Sequence, residues 1–296
     1  MKVLGRYKNG NYNVTIFDDG TKIRNNNLDF FEAEFPENID LKITNYCNKG
    51  CPMCHEGSNK DGKHSDLLNA QFINTLVRGT ELAIGGGMVT SHPDLVPFLQ
   101  LLKEKGIIAN ITIHQDEFTD NLELISKLVN EKLIYGLGVS FHHKDSKFLA
   151  EIVKYPNAVI HLINGIHNQD TFEYLSNRNL KILILGYKEL RRGSLLYQQQ
   201  RYTIDNNKEW LTNNLKDYLS KFQVVSFDNL SIKQLNVKEL LTDKDWDEFY
   251  MGDDGQHTMY IDLVERQFAQ SSTNMNRHEI LDDIRDMFKI VKEEGK

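Results

Sequence analysis

Cysteine is scarce in this sequence and confined to one place. Three occur in 296 residues, at positions 47, 51 and 54. An odd, clustered set excludes a disulfide framework and fits a reducing compartment, so a cytoplasmic location is expected. No apolar run approaches membrane-spanning length, and Met1-Lys2-Val3-Leu4-Gly5-Arg6 carries no apolar signal core; no membrane partner is expected. Positive charge is not in excess. The net charge of −7 argues against broad nucleic-acid binding. Internal repeats and low-complexity tracts are lacking. What is there is ordinary for a globular chain, 40% hydrophobic and 26% charged. The length suits one α/β domain of barrel size or two smaller ones.

Hydrophobic period divides the chain into three parts. In residues 1–36, Tyr12, Val14 and Ile16 alternate with polar residues, Asp19-Gly20 turns the chain and Ile23 continues beyond, which predicts a β-hairpin acting as a lid or edge. From 37 to 222, apolar strands alternate with helical stretches. Strands are predicted at 41–43, 81–84, 107–113, 133–141, 158–163 and 181–185, and helices at 66–77, 93–105, 122–129, 147–153, 171–175 and 208–222. Strand–helix alternation predicts a parallel sheet with its ligand site at the strands' carboxyl ends. From 223 to 296 the pattern predicts short strands at 224–227 and 231–235, a hairpin around Asp254-Gly255, and an amphipathic helix at 279–292, together a small α+β extension.

The cysteines lie in Lys42-Ile43-Thr44-Asn45-Tyr46-Cys47-Asn48-Lys49-Gly50-Cys51-Pro52-Met53-Cys54-His55, at Cys47-x3-Cys51-x2-Cys54, just past the first strand of the alternating region. Three thiolates in one loop repel each other unless a metal centre joins them. Structural zinc and closed iron–sulfur clusters take four protein ligands; a four-iron cluster on three cysteines leaves one iron open. A zinc knuckle completed by His55 or His64 is the rival. The next strand runs into Ile84-Gly85-Gly86-Gly87-Met88-Val89-Thr90-Ser91-His92-Pro93-Asp94-Leu95, where bare glycines let backbone approach a ligand.

On these two motifs the chain resembles the radical S-adenosylmethionine (SAM) family over roughly residues 38–222. The resemblance implies a partial (β/α)6 TIM-type barrel. It implies a [4Fe-4S] cluster on Cys47, Cys51 and Cys54, with SAM on the open iron. It also implies reductive cleavage of SAM to a 5′-deoxyadenosyl radical that abstracts hydrogen from a substrate. Gly85, Gly86, Gly87 and Met88 occupy the family's Gly-Gly-Glu-Pro turn beside the SAM ammonium, with Met88-Val89 in place of Glu-Pro. Met53 falls where the family packs a residue on adenine. Ser140 falls near the SAM ribose or carboxylate. A one-electron donor such as flavodoxin or ferredoxin is implied, and no auxiliary-cluster cysteines are present. The substrate is read as a peptide or protein side chain, with a nucleotide or small metabolite as the alternative. A non-catalytic SAM-binding or zinc-stabilised protein is the rival outside enzymology.

Other polar residues fall at strand ends. His142 and His143 are the candidate catalytic pair, to hold substrate or move a proton; His114 and Gln115 have a similar claim. Asn164 either bonds cofactor or starts a turn before Gly165. Lys188, Arg191 and Arg192 either grip an anion or form a solvated loop.

Overall fold

The protein is described by a computed structural model covering residues 1–28 and 30–295. In chain order the strands and helices are β1 (Val3–Asn9), β2 (Tyr12–Phe17), β3 (Lys22–Asn25), β4 (Asn38–Thr44), β5 (Glu81–Gly86), α1 (Leu95–Lys105), β6 (Ile108–His114), α2 (Gln115–Asp120), α3 (Leu122–Asn130), β7 (Gly136–Ser140) and α4 (Ser146–Ile152). They continue as β8 (Ala158–Ile163), α5 (Gln169–Leu175), β9 (Lys181–Leu185), α6 (Arg192–Leu219), β10 (Val224–Phe227), α7 (Asn229–Gln234), α8 (Asp243–Phe249), β11 (Thr258–Asp262), β12 (Gln267–Ala269), β13 (His278–Glu279) and α9 (Ile284–Glu294).

The fold is mixed α/β around a ten-stranded, mostly parallel sheet, ordered β10-β9-β8-β7-β6-β5-β4-β11-β12-β13. Pairing is parallel from β10 through to β11, and antiparallel only at β12 and β13. Every strand from β4 to β9 is one of those expected from periodicity. β10 joins their edge beyond β9, and β11 joins beyond β4.

Alternation sets two faces. Leu82 and Ile84, Ile111 and Ile113, Leu137 and Val139, Ile160 and Leu162, and Ile182 and Ile184 are buried in one continuous core. The other parity carries Asp40 and Lys42, Gly85, Thr112 and His114, Ser140, His161 and Ile163, and Leu185. All of these border one cavity of about 300 Å³. Small residues make room for it. A Cβ on Gly85 would meet nothing within 4 Å, and one on Gly138 would stand 2.5 Å from the His161 ring.

The predicted hairpin is part of a three-stranded antiparallel sheet, β1-β2-β3. It covers the amino ends of the main strands, away from the cavity. Arg24 and Lys22 reach Glu37, which precedes β4, and Asn157, which precedes β8, donates to Asp18 O at 2.9 Å.

Several predicted elements differ from the structure; the helix expected at 208–222 is the second half of α6, which begins at Arg192. The helix at 66–77 is only a 3-10 turn, Gln71–Thr75; Asp66 instead accepts from the Asn69 amide at 2.8 and 3.1 Å, a local bond that competes with helix. The strand at 231–235 is helix α7, because Asp228 caps it by accepting from Ser231 N at 2.7 Å. The hairpin around Asp254-Gly255 does not form. β11 pairs with β4 on one side and with the later β12 on the other, and Asp262 Oδ1 shapes the β11–β12 turn by accepting from Val264 and Glu265 N. The tail helix begins later than predicted and buries Ile284, Met287, Phe288 and Val291. No helix among the described residues is long and apolar enough to cross a membrane.

Candidate metal centre

The cysteine loop leaves β4 at Thr44 and is closed at its neck by backbone bonds. Asn45 N donates to Lys63 O, Cys47 N to Asn59 O and Asn59 N to Asn45 O, at 2.8–3.1 Å. The glycine loop fixes the same neck. Gly87 N donates to Thr44 O and Met88 N to Tyr46 O, both at 2.7 Å. A Cβ on Gly87 would lie 2.1 Å from Tyr46 O, so this contact requires glycine.

Arg191 and Arg192 hold the far side. Arg192 donates Nε to Cys51 O at 3.1 Å and Nη1 to Ser58 O at 2.9 Å, and Arg191 donates Nη1 to Glu56 O. Arg192 clamps the cysteine loop onto the start of α6, and Arg191, half-exposed, also stands 3.6 Å from the Glu56 carboxylate.

Within this frame all three thiols are half-buried and border the cavity. Burial pushes the Cys51 thiol up to about 11, with the charges of Cys47 and Cys54 adding to it. That mutual repulsion is what a bound cationic centre would relieve. The spacing also discriminates between centres. Tetrahedral thiolates on one zinc stand about 3.8 Å apart, from Zn–S of about 2.3 Å. Among the described residues, the set of Cys, His, Asp or Glu ligand atoms that all lie within 4.8 Å of one another is Cys51, His114 and His142, not the three cysteines. At least one pair of the three sulfurs therefore stands more than 4.8 Å apart, wider than two thiolates on one zinc.

Of the other sequence-derived candidates, Met53, Gly85, Gly86, Gly87, Ser140 and His142 border the cavity with the cysteines. His143 is turned outward, half-exposed, 3.7 Å from Asp116 Oδ1. Met88 lies behind the glycine turn, where its carbonyl accepts from Ser91 Oγ at 2.6 Å. Asn164 is buried beside Gln234, to which it donates at 3.1 Å. None of these three borders the cavity.

The structure adds groups that sequence reasoning missed. Asp40 has cavity-facing surface yet is walled in by protein, and burial pushes its carboxyl up to about 6, against the pull of Lys188. Lys42, 2% exposed, bonds Glu56 at 2.8 Å and Asp262 at 2.9 Å. Burial alone would raise the Glu56 pKa; the His55 hydrogen bond and Lys42 hold it well below the usual carboxylate range. Burial lowers His161 to about 4, so it borders the cavity as a neutral ring. A signal for these existed: Asp40 and Lys42 interrupt the run Ile39, Leu41, Ile43 at alternate positions, where a doubly covered parallel strand should be apolar on both faces.

No protein-family profile matches the chain, and no curated protein sequence does. Solved structures do. Streptococcus suis SuiB bound to precursor peptide SuiA is similar at a TM-score of 0.56 and 18% identity, over 87% of this chain and 65% of that one. SuiB bound to S-adenosylmethionine is similar at 0.56 and 15% identity, over 88% and 66%. The fold is shared with SuiB. The chain spans slightly less than two thirds of the SuiB chains' length.

Proposed function

We propose that this protein is a radical SAM enzyme whose strands β4 to β9 form a partial (β/α)6 barrel, with residues 37–222 as its catalytic unit. Cys47, Cys51 and Cys54 would hold a [4Fe-4S] cluster, and the observation that carries the reading is their convergence on one cavity, with at least one sulfur pair more than 4.8 Å apart. When bound, such a cluster supplies one electron to SAM and yields the 5′-deoxyadenosyl radical. The chain's own residues do the rest. Carbonyls of Gly85, Gly86 and Gly87 accept from the SAM ammonium, Met53 packs on adenine, and Ser140 bonds the ribose or carboxylate. Arg191 and Arg192 keep the cysteine loop in place.

The resemblance to SuiB, seen with SAM and with a precursor peptide, supports SAM as cofactor and a peptide as substrate. A small flavodoxin or ferredoxin would deliver the electron in a reducing cytoplasm. The test is anaerobic reconstitution with iron and sulfide, then dithionite and SAM, with 5′-deoxyadenosine as the readout. The wild type is expected to form it. Replacing any one of Cys47, Cys51 or Cys54 by Ala is expected to remove the brown chromophore and the product together; a variant that still cleaves SAM contradicts the ligand assignment.

A second reading has its own observation. Among the described residues, Cys51, His114 and His142 form a set close enough to hold one transition-metal ion. One zinc per chain and no iron after anaerobic purification would select that reading, a zinc-stabilised binding protein.

A further inference from the structure

Among the described residues, one side chain from outside the cysteine loop comes within hydrogen-bond reach of a cysteine sulfur. His142 Nε2 lies 3.9 Å from Cys51 Sγ. This contact is built rather than incidental. Gln115, fully buried, accepts through Oε1 from His142 N at 2.9 Å and His143 N at 3.1 Å, and donates Nε2 to His143 O at 2.9 Å. The turn after β7 is thereby tied to the first residue of α2. The His142 ring then lies flat on His114, with centroids 3.8 Å apart and planes 19° apart. His114 is itself fixed. Its Nδ1 accepts from Asp116 N at 3.0 Å, which puts the ring proton on Nε2, and its backbone N donates to Glu117 Oε2.

An imidazole in that position has two roles open to it toward a cluster: ligand or hydrogen-bond donor. A ligand on a second iron of the same cube must stand away from the Cys51 sulfur by the breadth of the cube. Nε2 at 3.9 Å is instead within hydrogen-bond reach of a sulfur acceptor. Resting on the four-iron reading above, we propose that His142 Nε2–H donates to Cys51 Sγ and raises the reduction potential of the cluster, with His114 and Gln115 as positioning residues. Reduction adds negative charge that spreads onto the ligand sulfurs, and a donor N–H favours that form over the oxidised one. Arg192 donates instead to backbone, through Nε to the Cys51 carbonyl and through Nη1 to the Ser58 carbonyl.

The experiment is a potentiometric titration of the reconstituted protein without SAM, followed by the electron paramagnetic resonance signal of the reduced cluster. His142→Phe keeps the stack on His114 and removes the donor; its midpoint is expected to be more negative than wild type. His142→Gln restores an N–H and is expected to move the midpoint back toward wild type. A full cluster with the same midpoint in wild type and His142→Phe overturns the inference alone. A wild type that assembles no four-iron cluster overturns the reading and the inference together. A wild-type measurement guards against a variant that fails to fold: with 15N-labelled histidine, pulsed resonance should show one weak nitrogen coupling through a hydrogen bond. A strong coupling from direct ligation, or none, contradicts the proposal.

Discussion

Two buried charged clusters occupy opposite ends of the same sheet. At the amino end, Glu37 is completely buried and its oxygens are taken by Arg24, Lys22 and the Tyr12 hydroxyl, with His257 beside them. Toward the carboxyl end, Asp40 within β4, the cysteine thiols beyond β4 and His161 face a cavity instead. The pKa directions follow. Burial would raise Glu37, but Lys22 and Arg24 keep it lowered, whereas burial prevails at Asp40 and takes it up to about 6. One end is closed upon itself and fastens the N-terminal sheet to the core; the other leaves charged and thiol groups lining a cavity. The difference separates structural from functional polarity without reference to any relative.

The sharpest way to break that contrast is Glu37→Ala. It leaves Arg24 without its carboxylate while Lys22 keeps Glu81 at 2.6 Å, and a loss of about 3 kcal/mol is expected by denaturant titration. Cluster content of the folded fraction should not change; a loss of iron without loss of stability would mean that the two ends are not separate. Next come two glycines. Gly87→Ala drives a Cβ into Tyr46 O at 2.1 Å, so about 1–3 kcal/mol and a lowered iron content are expected. Gly85→Ala meets nothing within 4 Å; its stability should stay within about 0.5 kcal/mol of wild type while SAM binding, read by calorimetry, weakens. Equal effects at both positions would contradict the division between a loop-holding and a cavity-facing glycine.

The smallest effect has the opposite sign. Asp40 has a folded pKa of about 6 against an ordinary 3.8, so the folded state binds the proton more tightly. Its stabilising contribution is present below about pH 3.8 and is lost as pH rises through 6. Asp40→Asn is therefore expected to stabilise the protein at pH 7, by about 1 kcal/mol after discounting for screening by water in the cavity. The gain should vanish below pH 4, as read by denaturant titration at the two pH values. Destabilisation at pH 7 would mean that Asp40 has a protein partner like that of Glu37.

Much of this was legible from residue patterns. β8 and β9 have the ends that periodicity predicts, because the apolar run of β8 is bounded by Pro156-Asn157 and Asn164-Gly165 and that of β9 stops at Gly186. β1 went unread since Gly5, Arg6 and Lys8 blur its alternation. Ile232 and Leu235 suggested strand where the Asp228 cap made helix, a local bond outweighing β propensity. The cysteine triad could be read because its members are neighbours in sequence. Which of His142 and His143 faces inward could not, since strand parity past the last ladder pair depends on Gln115, contributed by the preceding β/α unit. Arg191 and Arg192 illustrate the same limit: their targets, the Cys51, Glu56 and Ser58 carbonyls, lie more than a hundred positions away in the chain.

The most direct test of the central claim is the metal and sulfide content of anaerobically reconstituted protein, read together with the resonance of its reduced form before and after adding SAM. About four irons and four sulfides per chain, with a signal that changes when SAM is added, is the predicted result. One zinc per chain without sulfide, or a cluster signal indifferent to SAM, would contradict it.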